Sequence, residues 1–454
     1  MAITNINAIT SDNVDVDQIL QTVHEEILQY AEKLKQISMY MFENPELAFK
    51  EVKAHDCLVE FLKQEGFEVD EHFHLATSFK ATFKHGEGGH TFGLNSELDA
   101  LPGIGHACGH PLIAIAGVAT LLGLRKAMLR YNIAGRIILL GTPAEETGGG
   151  KLKLLQANAY EGMDVCMMVH PGQSQVGQAS ISPTLAVQSF EVEFHGVSTE
   201  NHYCCKQIFR LTTNKKPAHA AGAPWDGINA LDAATMAYAS INAMRQQLHP
   251  SDRVHGIIVN GGEAPNIIPK FTSMKYFLRA TTAAGMERVK EKVMPCFEAA
   301  ALATGCTHSV KFNDLLTDIR NCKPIGELFS ETMSTMFNIH TVQRYHDWSG
   351  GGLSTDFGNI TYAMPSCHPF YGIPCDPKRM NHTAEFEQNA RADKSHEETW
   401  KVATGMAAVA LKLFRDPSFS KEVSDTAVES PRSILMYHQA REWWEKDMRG
   451  DFMP

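Results

Sequence analysis

No stretch of about 18 uninterrupted apolar residues occurs in the chain, so no membrane-spanning helix and no membrane partner is expected. The longest apolar stretch, Leu112 to Leu124, contains several small residues and ends in Arg125-Lys126, which a buried helix explains. Basic runs are equally scarce. The 454 residues carry 41 Lys and Arg against 52 Asp and Glu, a net charge of -11. Without a basic stripe, nucleic acid is excluded as the main partner. The ten cysteines form no disulfide framework and are scattered, apart from the adjacent Cys204-Cys205. The opening stretch MAITNINAITSDNVDVDQIL has no basic segment before an apolar core, so no secretory signal is read. Internal repeats and long low-complexity tracts are also missing. Together these absences point to a soluble protein in a reducing, cytoplasmic setting. The length calls for two or three domains.

What is present is ordered. Apolar residues recur at helical spacing from Val16 to Phe42, and Pro45 ends that run. A second helix is predicted from Ala54 to Glu65, stopped by Gly66. FEVDEHF and SFKATFKH read as strands. Strands and helices then alternate: TFGLNSEL, a helix from Pro111 to Met128, a strand from Arg136 to Pro143, a helix from Leu152 to Ala159, and a strand from Asp164 to Pro171. Alternation of this kind predicts an α/β domain with a mainly parallel sheet flanked by helices.

Near Leu185 the pattern changes. A strand, a long helix from Trp225 to Leu248, two strands, a helix from Met286 to Thr304 and the strand THSVKFND follow. This β-α-β-β-α-β order is a ferredoxin-like α+β unit inserted into the first domain. The expected division is 1–184, then the insert at 185–314, then the return of the first domain at 315–454. In the return, a helix is predicted from Ile325 to Phe337, short strands around Ile360 to Met364, and an apolar helix from Ser395 to Phe414.

The chemistry gathers at predicted strand ends. Cys108 and His110, in the string His106-Ala107-Cys108-Gly109-His110, combine a thiol and an imidazole as divalent-metal sites do. A buried cysteine among satisfied histidines reads the same way in isolation. Glu145-Glu146, after the strand at Arg136, could be a solvated acidic loop. They could also divide the tasks of metal ligand and general base. His170 and Asp99 also follow buried strands, where open α/β sheets build their sites. Asp99 would orient a ligating imidazole. His382 comes from the distant NHTAEF segment. Cys108, His110, Glu146, His170 and His382 make five ligands for two divalent ions about 3.5–4 Å apart, with Glu145 left as base.

ELDALPG, HACGH, TPAEETGGG, VHPG, KPAHAA, STDFGN and NHTAEF occur in that order. They resemble the co-catalytic metallopeptidase family of aminoacylases, carboxypeptidase G and plant indole-acetyl-amino-acid hydrolases. The wording is most similar to its branch of intracellular dipeptidases, of β-alanyl-lysine or Xaa-Arg type, and aminobenzoyl-glutamate hydrolase. The likeness runs from about Asn44 to Leu413. It implies the same five ligands, with His106 outside the set, and Glu145 as base. It implies that His219 supports the developing oxyanion, and that Asn266 and Arg279 hold substrate. Asn266 also reads as a turn residue and Arg279 as a surface strand residue. The ferredoxin-like insert would be a lid and dimerisation domain, giving a homodimer or larger homo-oligomer. The resemblance implies hydrolysis of an amide bond in a small dipeptide or N-acyl amino acid. The two metals would be zinc, given the thiolate, with manganese or cobalt as alternatives. Side chains around Trp348 to Ser354 are expected to bear on specificity.

The chain departs from that family pattern in two places. Pro111 stands where relatives often carry Asn or Asp. Between Gly196 and Lys216 lie nineteen extra residues, VSTENHYCCKQIFRLTTNK, where the family runs directly from Gly to Lys-Pro-Ala-His. Val-Ser can be encoded by GTAAGT and Leu-Thr by codons containing CTAAC, the start and branch signals of a short intron. Residues 197–215 are therefore read as a translated retained intron, with a surface loop as the alternative. A catalytically impaired relative that binds a metabolite or a partner chain is the competing functional expectation. The intact ligand set argues against it and the interrupted lid for it.

Overall fold

The computed structural model describes residues 15–428, apart from 173, 197–219, 223, 346–351 and 377. The chain begins with α1 (Val16–Glu43), α2 (Val52–Gln64), β1 (Glu68–Glu71), β2 (Phe79–His85), β3 (Thr91–Glu97), α3 (His110–Tyr131) and β4 (Gly135–Thr142). It continues through α4 (Gly150–Gln156), β5 (Val165–Met167), β6 (His170–Gly172) and β7 (Gln178–Ile181). Next come β8 (Ala186–His195), α5 (Ala230–Met244), β9 (Arg253–Asn260), β10 (Phe271–Ala280), α6 (Ala283–Thr304) and β11 (Thr307–Leu316). The last elements are α7 (Lys323–Phe337), β12 (His340–Gln343), α8 (Phe357–Ala363), β13 (Ser366–Cys367), β14 (Phe370–Gly372), α9 (Ala384–Ala390), α10 (Asp393–Arg415) and α11 (Pro417–Val428). Contacts divide the chain into two compact units. One comprises residues 1–184, 319–351 and 355–454; the other comprises 185–318 with 352–354.

The first unit is built on a six-stranded sheet of order β1-β2-β4-β3-β5-β13. β4, β3, β5 and β13 run parallel; β2 pairs antiparallel with β4, and β1 antiparallel with β2. Every residue of β3 and β5 is buried, as expected of strands covered on both faces. α3 packs against α1, α10 and β3. Leu112, Ile113, Ile115, Leu121 and Leu122 are fully buried there, each worth about 1.5–3 kcal/mol of apolar transfer. Gly117 allows the approach to the sheet, because a Cβ there would lie 2.6 Å from Ser96 Oγ. By length and hydropathy α3 could span a bilayer, yet 83% of that stretch is buried inside the protein. The packing makes it a core helix.

Three local expectations are corrected. The stretch Asp164–Pro171 is not one strand. β5 stays in the six-stranded sheet, whereas β6 joins a second sheet of order β12-β7-β14-β6. Pro171 has no N–H to extend a ladder, and β6 pairs in parallel with β14. Residues 360–364 are not strand: α8 covers 360–363 and Met364 caps it, with Phe357 and Ile360 buried in one cluster with Ile113 and Tyr160. There the β-branched Ile360 and Thr361 were overridden by tertiary packing. The long helix at Trp225–Leu248 is shorter. Asn229 caps α5 by accepting the Leu231 N–H, and short 3-10 turns flank it.

The second unit is a four-stranded antiparallel sheet of order β11-β8-β10-β9. Buried positions alternate along β8 and β10, and α5 and α6 pack on the sheet and on each other. That is the ferredoxin-like arrangement. β9 is an edge strand, and it leaves Ile257 63% and Val259 52% exposed. The inserted segment 197–215 and His219 lie outside the described residues, as does most of the Trp348–Ser354 loop.

Candidate metal centre

The centre starts where β3 ends. Glu97 and Asp99 follow one another at strand spacing, so their side chains share a face. The chain then loops back through Gly109, whose φ of 86° enters α3 in a left-handed conformation. A Cβ on Gly109 would lie 2.6 Å from Pro171 Cγ. Glycine therefore lets the Cys-Gly-His turn press against β6. The result is a Cys108 Sγ to His170 Nε2 distance of 3.4 Å.

Each imidazole is oriented from behind. His110 Nδ1–H donates to the Asp99 carbonyl at 2.7 Å, and His170 Nδ1–H to the Pro171 carbonyl at 2.7 Å. This turns both Nε2 atoms inward. Asp99 also accepts the backbone N–H groups of Glu145 and Glu146, at 3.1 and 3.0 Å on its two oxygens. One buried carboxylate thus sets the Glu145-Glu146 turn and stands 3.2 Å from the His110 ring. His382 arrives from the far segment with φ 70°, its N–H donating to the Ala107 carbonyl at 2.8 Å. Its Nε2 lies 3.4 Å from Glu146 Oε2. Asn381 beside it donates to the carbonyls of Cys108 and Pro171.

The donor atoms converge in overlapping groups, each within 4.8 Å: Cys108, His110 and His170; Cys108, Glu146 and His382; His110, Glu145 and Glu146. All five residues expected to ligate are present, and Glu145 is with them. His106 is in none of these groups; it is buried, with its ring edge-on to Phe42. Among the described residues, His110 Nε2 and Glu146 Oε1 are buried with no hydrogen-bond partner, which costs about 1–3 kcal/mol for each such group. A divalent cation would satisfy both. A donor set of sulfur, nitrogen and oxygen suits a borderline-soft ion.

The electrostatics agree with such a centre. Burial pushes the Cys108 thiol up, so a nearby cation is what would free its proton. Burial also raises Glu145 well above the carboxylate range, reinforced by the charges of Glu97 and Glu146. Burial lowers His170 to about 4, so it is neutral and its Nε2 lone pair is available.

A buried ion cluster backs the site. Lys151 Nζ lies 2.6 Å from both Glu97 Oε1 and Asp356 Oδ1, with all three side chains fully buried. Burial would raise Glu97, but Lys151 and His110 outweigh it and hold it at about 2. Sequence reasoning missed Glu97, Lys151, Asp356 and Asn381 as site residues. Glu97 could have been found from its spacing to Asp99, and Asn381 from its place beside His382. Lys151 carried no signal, since a lysine after three glycines reads as exposed.

Of the other expected residues, Asn266 and Arg279 lie in the second unit. The Asn266 carbonyl accepts the Ala220 N–H at 3.1 Å. Arg279 Nη1 donates to the Gly352 carbonyl at 3.2 Å and to Ser354 Oγ at 3.0 Å.

An α/β sheet carrying this convergent set defines a metal-dependent hydrolase. Known proteins agree. Residues 208–304 match the peptidase dimerisation domain of the M20 family. The mouse Xaa-Arg dipeptidase is 36% identical over 91% of this chain and 93% of its own length. One of the subunits of the Escherichia coli p-aminobenzoyl-glutamate hydrolase is 26% identical over 66% of this chain and 61% of its own. The solved structure of Bacillus subtilis YxeP, a dinuclear metal-binding peptidase from the M20 family, superposes with a TM-score of 0.64 at 21% identity. That match covers 85% of this chain and 99% of the other. The chain belongs to the M20 peptidase family, and it is a metal-dependent peptidase or amidohydrolase with a dimerisation domain.

Proposed function

We propose that the protein hydrolyses the amide bond of a small dipeptide or N-acyl amino acid at a two-metal centre held by Cys108, His110, Glu146, His170 and His382. The observation that carries this reading is the convergence of those five donors and Glu145 within overlapping groups of 4.8 Å. The 36% identity to an Xaa-Arg dipeptidase favours dipeptides with a basic C-terminal residue. Zinc is the proposed ion, because Cys108 supplies a thiolate. When bound, the two ions would supply the Lewis acidity that activates water and polarises the scissile carbonyl.

Glu145 takes a proton from the attacking water. The water oxygen adds to the carbonyl carbon, the C–N bond breaks, and Glu145 delivers that proton to the departing amine. By the family pattern, His219 is assigned to the oxyanion, and Asn266 and Arg279 to substrate. The eight described cysteines are all free, which supports a reducing, cytoplasmic location. We also propose that residues 197–215 are translated intron sequence; a transcript whose main form retains the segment refutes this.

A hydrolysis screen of Xaa-Arg, Xaa-Lys, β-alanyl and N-acyl substrates with defined metals tests the reading. Glu145→Gln should bind metal normally and lose about 10²-fold or more in kcat. Turnover near the unmodified rate in that variant would remove Glu145 from its role.

A further inference from the structure

Glu51 is fully buried and stands at the N-cap of α2, yet its side chain does not cap the helix. Its carboxylate is engaged elsewhere. Oε1 accepts the backbone N–H of Phe49 and of Ala144, each at 2.9 Å, and Oε2 accepts the Thr77 hydroxyl at 2.7 Å. Phe49 and Ala144 both have left-handed backbones, with φ of 61° and 59°. Such conformations are strained for non-glycine residues and persist only where surroundings impose them. Ala144 immediately precedes Glu145 and Glu146. With Asp99 accepting the next two N–H groups, three consecutive amides are gripped by two buried carboxylates. The Phe49 ring closes the same loop from outside, since a Cβ on Gly148 would collide with it.

We propose that Glu51 is a positioning residue for the hydrolytic centre, holding Ala144 in its left-handed turn so that Glu145 and Glu146 face the metal ligands. The proposal rests on the assignment of Glu146 as ligand and Glu145 as base. Without an acceptor at Oε1, Ala144 loses the bond that offsets its strain. The 144–146 turn can then relax towards an ordinary backbone, carrying both glutamates with it.

The test compares Glu51→Leu, which removes both acceptors, with Glu51→Gln, which keeps one carbonyl for Oε1. Zinc binding to the metal-stripped protein, by competition with a chromophoric chelator, should weaken about tenfold or more in Glu51→Leu. The kcat should fall comparably with KM within about threefold, and Glu51→Gln should stay near the unmodified protein on both readouts. Adding Ala144→Gly to Glu51→Leu should restore part of the zinc affinity, because glycine holds a left-handed φ unaided. Unchanged zinc affinity in Glu51→Leu overturns the proposal. So does a double variant that recovers no affinity. If Glu51→Leu does not fold, Thr77→Val takes its place. A weakening of about threefold then supports the role, and none overturns it. Turnover by Glu145→Gln would sink the base assignment alone, leaving zinc affinity as the independent measure of Glu51.

Discussion

His110 shows how one residue is made into a ligand. Its Nδ1–H is committed to the Asp99 carbonyl, its ring is fully buried, and its Nε2 makes no hydrogen bond among the described residues. Nearby lie Glu97, Glu145 and Glu146, within 3.3–3.9 Å of that nitrogen. Stripped of metal, the site is therefore a crowd of buried carboxylates with orphaned donors. Chelation should lower the melting temperature, and zinc at about a thousandfold above Kd should return roughly 4 kcal/mol of stability. Differential scanning calorimetry with and without chelator measures this; identical melting curves would contradict a cation-dependent centre. At this scale the convergence of the candidate ligands was legible because thiol, imidazole and carboxylate recur at strand ends in a known order. Glu97 and Glu51 were not, because an isolated glutamate carries no mark of burial in its sequence neighbourhood.

At the scale of elements, Lys151 ties three pieces of structure together. It sits in the first turn of α4 and bridges Glu97 at the end of β3 to Asp356 at the start of α8. Asp356 Oδ2 also accepts the Lys151 backbone N–H at 2.8 Å. Removing only the cation leaves two carboxylates buried without compensation. Lys151→Met is therefore expected to destabilise the protein by about 3–5 kcal/mol, read from urea unfolding of the metal-loaded form. A loss below about 1 kcal/mol would mean the cluster is better solvated than its burial indicates. The same region shows where sequence reasoning falls short. The alternating strands and helices of the sheet were legible from hydrophobic period. The helix α8 was not, since Ile360 and Thr361 favour a strand until Phe357 and Ile360 are packed against Ile113. The second sheet was equally hidden, because its strands of three or four residues are too short to show a period.

At the scale of the whole molecule, the open question is what covers β9. The order β-α-β-β-α-β was readable in the sequence, but it does not say which strand lies at the edge. Among the described residues, the order β11-β8-β10-β9 leaves β9 with one unpaired side, within the stretch that matches the peptidase dimerisation domain. Ile257, Ile258 and Val259 are all exposed there. Proteins guard such edges with charge or proline, and this one presents three β-branched residues in succession. Pairing with β9 of a second copy would satisfy the free backbone groups and cover those side chains. Placing lysines at Ile257 and Val259 should then lower the sedimentation coefficient at micromolar concentration by breaking such an assembly, because paired edges would bring like charges together. If that variant sediments as the unmodified protein does, pairing at β9 is ruled out, and Met236, exposed on α5, becomes the next residue to substitute.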